Sequence, residues 1–299
     1  LWTWSRPKIK YESLFHFQKV NHFPGSRELT RKDTLKINLE RFTKFGGKVA
    51  DAFGFMPRTF CLPKEYLAFM ECFSRVAEEE EEKFPLRAPG SMNWWILKPA
   101  GSSRGRGISL LNDIGKVTYG DTAIIQRYIY NPFLLDGYKF DLRLYVLVTS
   151  FNPLEAFIYD DGFVRIATVP YSTDPADLHN KFIHLTNSSI QKDNETSIPA
   201  FKGASRYHSN AAKAQMTGMG PTSSAGDPHP MDSARPEEWG GSKLRLSYLW
   251  RRFREQGIDC AAVKESIHEV VLRTLIAAEE SIPPQVNSFE LFGFDVFLD

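Results

Sequence analysis

Charged and apolar residues alternate in Lys139-Phe140-Asp141-Leu142-Arg143-Leu144-Tyr145, and a mainly apolar run continues from there to Ser150. Successive side chains of a strand point to opposite faces, so the odd-numbered residues share one polar face and the even-numbered residues face a core. A cation, an anion and a second cation, each about 7 Å from the next, are costly inside a sheet unless they are paired or bind a ligand. An edge strand with a solvated, salt-bridged face is the alternative, but the apolar neighbours on both sides favour a site.

A glycine-rich loop stands upstream, Lys98-Pro99-Ala100-Gly101-Ser102-Ser103-Arg104-Gly105-Arg106-Gly107. Glycines let backbone N–H groups approach phosphate oxygens, and the lysine and arginines supply positive charge. The loop lacks the Gly-Lys-Ser/Thr of a Walker A motif and leads into a strand, not into the helix of a Rossmann unit. Taken alone, it indicates either a phosphate-binding loop or an ordinary glycine-rich hairpin.

Three smaller features could also carry chemistry. Arg165 is a lone arginine in an apolar strand, either a surface residue or an anion ligand. The run His184-Leu185-Thr186-Asn187-Ser188-Ser189 is a polar cluster or a capped turn. Asp295 lies on an apolar strand, where a carboxylate needs a cation, a metal such as Mg²⁺ or access to water.

Composition limits the possible functions. The 299 residues are 42% hydrophobic, and 37 Lys and Arg nearly balance 36 Asp and Glu, so net charge does not indicate a polyanion-binding protein. Cys61, Cys72 and Cys260 have no CxxC spacing, which argues against a zinc site or a disulfide framework and favours a reducing compartment. We expect no signal peptide and no membrane span. The first residue is Leu1 rather than Met, and we therefore expect the true N-terminus to be missing.

Local patterns predict the order of elements. We expect a helix entry at residues 27–33 capped by Thr30, a helix opened by Pro63, and strands at 94–97, 107–111, 123–129 and 139–150. A hairpin is predicted from 154–159 and 163–168 around Asp160-Asp161-Gly162. Residues 193–241 indicate a flexible insertion; helices at 242–256 and 260–280 and a strand at 289–298 follow.

Taken in order, these motifs resemble those of the tubulin tyrosine ligase-like family. The resemblance includes Phe289-Glu290-Leu291-Phe292-Gly293-Phe294-Asp295. Three upstream runs are similar to its polyglutamylase branch: Asn21-His22-Phe23-Pro24, Leu29-Thr30-Arg31-Lys32-Asp33 and Pro57-Arg58-Thr59-Phe60-Cys61-Leu62-Pro63. The family implies an α/β ATP-grasp fold of mixed sheets with flanking helices. We expect an N-terminal region at 1–62, a central lobe at 63–133 and a C-terminal lobe at 134–299.

The resemblance also implies roles for individual residues. ATP would be bound by Lys98, Arg104, Gly105, Gln126, Arg127, Tyr128, Ile129, Lys139, Asp141, Thr186 and Asn187. Arg143 and Arg165 would be catalytic, at the transferred phosphoryl group and at the incoming amino acid. That amino acid would be held by Arg165, Ser188, Ser189 and Lys243, although Ser188 stands where polyglutamylases usually have Tyr. Asp295 would bind Mg²⁺, and a Glu and an Asn on a further strand beyond Asp299 would complete the metal site, so we expect a truncated C-terminal end.

The implied activity is ATP-dependent addition of glutamate, through isopeptide bonds, to glutamate side chains of tubulin by way of an acyl phosphate. The implied cofactors are ATP and Mg²⁺, and the implied partners are tubulin tails, microtubules and free glutamate, with no nucleic acid and no membrane. We expect a monomer in the cytoplasm and on the cytoskeleton, with a cilium or basal body as more specific locations. The alternatives are an inactive ATP-grasp protein that binds nucleotide or microtubules, and a tubulin glycylase. An ATP-grasp ligase for a small molecule is disfavoured by the upstream motifs.

Overall fold

The structure, a computed structural model, describes residues 1–83, 93–102, 105–117, 120, 122–197 and 241–299. Arg104 and residues 198–240, nearly all of the predicted insertion, lie outside this range. The helices are α1 (Arg27–Thr30), α2 (Lys32–Thr43), α3 (Gly47–Phe53), α4 (Tyr66–Lys83), α5 (Lys181–His184), α6 (Ser188–Gln191), α7 (Leu246–Glu255) and α8 (Cys260–Glu279). The strands are β1 (Thr59–Leu62), β2 (Trp95–Pro99), β3 (Ser109–Leu111), β4 (Ala123–Arg127), β5 (Leu134–Leu135), β6 (Tyr138–Phe151), β7 (Leu154–Ile166), β8 (Lys243–Arg245) and β9 (Glu290–Val296).

The first sheet is antiparallel, with strand order β1-β4-β2-β3. One face, which includes Trp95 and Ile125, packs against Phe69 of α4. The opposite face carries Ile96 and Tyr128 in a cluster with apolar residues from the segment around α5. Because side chains alternate along a strand, Lys98 and Gln126 lie on this second face, which is turned toward the second half of the chain.

The second sheet is built on the long strand β6. Its order is β5-β6-β7-β8, and β9 also pairs antiparallel with β6. The even-numbered residues of β6 from Phe140 to Val148 are 0–3% exposed and lie in the main core cluster, which also contains α7 and α8 residues. The alternation predicted for 139–150 is therefore confirmed, and the odd-numbered residues lie on the face opposite this core.

The predicted hairpin around Asp160-Asp161-Gly162 is wrong. Leu154–Ile166 is one strand, and its partner is β6, with the reversal at Asn152 and Pro153. Register shifts between β6 and β7 absorb the turn-like residues within the continuous strand. Glycine at position 162 lets β7 approach β6 closely, because a Cβ there would stand 2.5 Å from the carbonyl oxygen of Arg143.

Several predicted helix bounds also need correction. Thr30 ends α1 and is not a cap, because the extended residue Arg31 separates α1 from α2. The helix expected from Pro63 starts at Tyr66 and runs to Lys83, so the acidic run at 78–82 is helical. Within it, Glu80 is bonded to Arg127. The helix expected from Ser242 starts at Leu246, and Lys243–Arg245 form strand β8.

Two antiparallel sheets with flanking helices confirm the predicted mixed α/β class. The N-terminal region is tied to the second sheet through Glu290 of β9, whose carboxylate accepts a hydrogen bond from the Phe23 backbone N–H at 2.9 Å. Within the described ranges, no helix combines the length and the apolar character needed to cross a membrane.

Candidate functional site

An array of arginines and aspartates lies on the polar face of β6, β7 and β9. Strand register places Asp141 opposite Arg165 and places Arg143 opposite Asp295. Arg165 binds Asp141 with two parallel hydrogen bonds, and the Nε bond measures 2.8 Å. Arg165 Nη2 also lies 2.9 Å from Asp295 Oδ2, while Arg143 Nε donates to Asp295 Oδ1 at 2.6 Å. Asp295 therefore bridges the two arginines that were predicted to be catalytic.

Burial differs across this array. Asp141 and Arg165 are 8% and 6% exposed. Burial raises the pKa of Asp141 above its ordinary value, although the Arg165 hydrogen bonds and a Thr186 side-chain hydrogen bond oppose the effect. Burial also acts to lower the pKa of Arg165, but its hydrogen bonds and charge attraction to Asp141 and Asp295 outweigh this and raise the pKa. The Asp295 side chain is 47% exposed, so this array is open to solvent on the Asp295 side.

A glycine sets the position of Arg143. A Cβ at Gly293 on β9 would stand 2.6 Å from Arg143 Nη1 and 3.4 Å from its Cδ and Cζ. The arginine side chain therefore lies across a strand position that only glycine leaves open, and it reaches Asp295 from there.

Lys139 begins the polar face of β6 and is buried under aromatic rings. Its Nζ is 4.1 Å from the Tyr128 ring centroid and 5.0 Å from that of Phe297. The ammonium donates to the Tyr128 hydroxyl at 2.6 Å, its one protein hydrogen bond within the described residues. Burial and the charge of Lys98 lower the pKa of Lys139 to about 7. A buried ammonium with unused donors is suited to an anionic ligand.

The Tyr128 hydroxyl is oriented by a histidine. It lies 3.0 Å from His184 Nδ1, and His184 Nε2 lies 3.1 Å from the Asp177 carbonyl oxygen. Burial and the charge of Lys139 lower the pKa of His184 to about 4, so the ring is neutral at pH 7. A carbonyl only accepts, so Nε2 carries the proton and Nδ1 accepts from Tyr128. The Tyr128 oxygen is thereby directed to accept from Lys139.

Two further lysines meet at the glycine-rich loop. Lys98 Nζ donates to Gln126 Oε1 at 2.8 Å, and Lys32 Nζ donates to the Ser102 carbonyl oxygen at 2.7 Å. Burial and the charge of Lys32 lower the pKa of Lys98 to about 8. The charge of Lys32 thus lowers the pKa of Lys98, and the charge of Lys98 lowers the pKa of Lys139. A bound polyanion would relieve the repulsion among the three lysines.

The loop also contacts the His184–Asn187 run. Gly105 has φ +75°, and a Cβ there would stand 2.5 Å from Ile190 Cδ1 and 3.0 Å from Asn187 Oδ1. Glycine is required both by the conformation and by this close approach. Thr186 lies near enough to Asp141 to act on the pKa of that carboxyl, so this short run reaches the arginine array as well as the loop.

The structure thus brings together Lys98, Gly105, Gln126, Tyr128, Lys139, Asp141, Arg143, Arg165, Thr186, Asn187 and Asp295. Lys243 lies on edge strand β8 opposite Arg165. Ser188 and Ser189 open α6 directly after Asn187, and Ile129 follows Tyr128. The Arg127 side chain points to the opposite face, where it donates to Asn93 Oδ1 at 2.8 Å and pairs with Glu80. Its predicted contact with adenine would have to use the backbone.

Three residues on this face were not predicted from the sequence to belong to the site: Lys32, His184 and Arg245. Lys32 lies in a helix far from the loop in sequence, and only the packed structure shows its bond to Ser102. His184 was part of a noted motif, and its spacing from Tyr128 gives no sign of their contact. Arg245 was assigned to a helix, whereas it faces Phe163 across β7 and β8.

The predicted Mg²⁺ site can be compared with the positions of the acidic side chains. No group of three or more His, Cys, Asp or Glu side chains suited to a metal is found in the described part of the chain. Asp295 is half exposed and its oxygens are shared by two arginines. Mg²⁺ commonly uses one or two carboxylates together with substrate phosphates and water. Asp295 fits such a shared site and does not form a complete protein cage with the other described residues.

The chain is similar in sequence to one protein family and to several of its named members. The sequence profile of the Tubulin-tyrosine ligase family matches residues 9–216. The chain is 35% identical over 308 residues to tubulin polyglutamylase TTLL5 of Homo sapiens, covering 100% of the chain and 20% of that protein. It is 35% identical over 290 residues to probable tubulin polyglutamylase TTLL2 of Homo sapiens, covering 97% and 41%. It is 32% identical over 298 residues to tubulin monoglutamylase TTLL4 of Mus musculus, covering 97% and 21%. The chain therefore spans about a fifth of the length of TTLL5 and TTLL4.

Proposed function

Since the chain belongs to the tubulin-tyrosine ligase family, we propose that it is an ATP-dependent ligase that joins free glutamate to glutamate side chains of tubulin through isopeptide bonds. The observation that carries the proposal is the arginine array beside a buried lysine on one face of β6. Lys139 supplies an anion site, and Arg143 and Arg165 follow it on the same face. Similarity to proteins named tubulin polyglutamylases and a monoglutamylase indicates the acceptor and the donor.

The phosphates of ATP would lie between the two sheets. Lys32, Lys98 and Lys139 would face them, and Gly105 and Arg104 would cover them. Thr186 and Asn187 would line the same pocket, while the segment from Gln126 to Ile129 would hold adenine. Mg²⁺ held by Asp295 would neutralise charge on the transferring phosphoryl group.

The chemistry requires two bond exchanges. An oxygen of the acceptor carboxylate attacks the γ-phosphorus of ATP, the bond to the β-phosphate oxygen breaks, and ADP and an acyl phosphate result. The amine of free glutamate then attacks the acyl carbon, phosphate leaves, and the nitrogen loses a proton as the isopeptide bond forms. Arg143, held in place by Gly293 and Asp295, would stabilise charge on the phosphoryl oxygens through both exchanges.

Arg165 has a more restricted role. Its Nε and Nη2 donors are used by Asp141 and Asp295, which leaves Nη1 for a substrate carboxylate. Lys243 lies opposite Arg165 on β8 and would share the α-carboxylate of the incoming amino acid. Ser188 and Ser189 would complete this subsite. The glutamate would be added to tubulin, either free or in microtubules.

The proposal is tested by replacing Arg143 with glutamine in the purified protein. The variant should lose transfer of labelled glutamate to tubulin and should keep ATP affinity, since Lys139 and Lys98 are unchanged. Arg254→Gln, on the exposed side of α7, is the matched control and should retain both properties. An unmodified enzyme that binds ATP and leaves tubulin unlabelled would favour the alternative of a nucleotide-binding protein without ligase activity.

A further inference from the structure

Arg245 lies on the site face of the second sheet. Strand β8 pairs antiparallel with β7, placing Arg245 opposite Phe163 and Lys243 opposite Arg165. Leu244 between them is 0% exposed and lies in the core cluster. Because neighbouring strand residues point to opposite faces, Lys243 and Arg245 both lie on the face that carries Arg165.

Among the residues that the structure describes, the carboxylates nearest to Arg165 at this edge already have arginine partners. Arg245 Nε is buried and makes no hydrogen bond within the described part of the chain. Lys243 Nζ lies 5.4 Å from the ring centroid of Phe163, and Phe163 is the residue that pairs with Arg245 across the two strands. Asp141 and Asp295 are already engaged by Arg165, and Asp295 is also engaged by Arg143. Arg245 as a whole is half-buried, and neither it nor Lys243 forms an ion pair with a carboxylate of the described residues. Two unpaired cations side by side are suited to a ligand with two negative groups, which would bind the Nη atoms of Arg245.

We propose that Arg245 binds the side-chain carboxylate of the donor glutamate, while Lys243 and Arg165 hold its α-carboxylate. This inference rests on the proposed function. Residues two apart on a strand are separated by about 7 Å at Cα, and their long side chains can converge on two carboxylates joined by a three-carbon chain. A guanidinium can bind a carboxylate through two parallel hydrogen bonds. Glycine has no second carboxylate and glutamine has a neutral amide there, so Arg245 would select glutamate.

The experiment measures kcat/KM for glutamate and for glutamine as donors, with tubulin as acceptor and ATP saturating. Arg245→Gln should lower kcat/KM for glutamate by about 10- to 100-fold, mainly through KM, because a hydrogen-bonded charge pair is lost. The value for glutamine should stay within about twofold, and the KM for ATP should not change. Arg245→Lys should recover part of the glutamate preference, and Arg254→Gln should match the unmodified protein.

Three results would overturn the inference. An equal fall in kcat/KM for both donors would assign Arg245 a structural role. A rise in KM for tubulin with unchanged donor kinetics would place Arg245 at the acceptor. An unaltered glutamate preference in Arg245→Gln would show that another group binds the side-chain carboxylate. Failure of the unmodified protein to transfer glutamate at all would instead contradict the proposed function, so the two failures are distinct.

Discussion

Substituting Gly293 by alanine tests how the site holds Arg143. The new Cβ would stand 2.6 Å from Arg143 Nη1, closer than non-bonded atoms can approach. The backbone at Gly293 needs no left-handed conformation, so the strand itself tolerates alanine. The group that must move is the flexible end of the arginine, and its 2.6 Å bond to Asp295 Oδ1 would break.

The expected effects on stability and on activity differ widely. The side chains of Arg143 and Asp295 are 30% and 47% exposed, and ion pairs this open to solvent contribute about 0.2–1 kcal/mol. The free energy of unfolding should therefore fall by no more than about 1 kcal/mol. If Arg143 stabilises developing charge as proposed, its displacement should cost about 100- to 1,000-fold in kcat. Gly293→Ala should thus be a folded protein with a severe defect in glutamate transfer.

The assay compares Gly293→Ala, Arg143→Ala and the double variant in glutamate transfer and in chemical unfolding. If alanine at Gly293 acts by displacing Arg143, the two single variants share one defect, and the double variant should be no worse than Arg143→Ala. Full activity in Gly293→Ala would refute this account. A double variant with multiplied defects would show that Gly293 acts by a different route.

Three further predictions follow from the buried groups. Tyr128→Phe removes the oxygen that accepts from Lys139 and keeps the ring beneath the ammonium, so the Kd for ATP should rise about tenfold in a calorimetric titration. Because the pKa of Lys139 is lowered to about 7, its charged form is lost as pH rises through 7. The Kd for ATP should therefore increase from pH 7 to 9, and a Lys139→Arg variant, whose charge persists, should show a smaller increase, due to Lys98, whose pKa is lowered to about 8. Asp141→Asn leaves the buried Arg165 with Asp295 as its remaining carboxylate partner, so urea unfolding should show a loss of about 3 kcal/mol, at the lower end for a broken buried pair.

The periodic spacing of apolar residues correctly predicted those strands and helices that are long enough to show a full pattern within their own sequence. The alternation of β6, the amphipathic helix at α8 and the final strand β9 follow the predicted ranges closely. The hairpin at Asp160-Asp161-Gly162 failed because the choice between a turn and a bulged strand depends on the partner, and β7 pairs along its length with β6. Strand β8 was missed because three residues are too few to show a period, and the amphipathic helix α7 follows directly.

The residue types of the site were predictable, but their pairing was not. Lys139, Asp141, Arg143, Arg165 and Asp295 all stood out as charges among apolar neighbours. Which carboxylate faces which arginine is set by the register between strands that lie far apart in sequence. The Lys139 contact with Tyr128 likewise depends on how the two sheets pack.

Glutamate ligation to tubulin can be measured by incubating the purified protein with tubulin, ATP, Mg²⁺ and an equimolar mixture of isotopically distinct glutamate, glycine and tyrosine. Mass spectrometry of the tubulin tails then identifies the donor and its attachment site. We expect ATP-dependent addition of glutamate to glutamate side chains, with loss of that signal in Arg143→Gln. Addition of glycine or tyrosine in place of glutamate, or unmodified tubulin despite bound ATP, would contradict it.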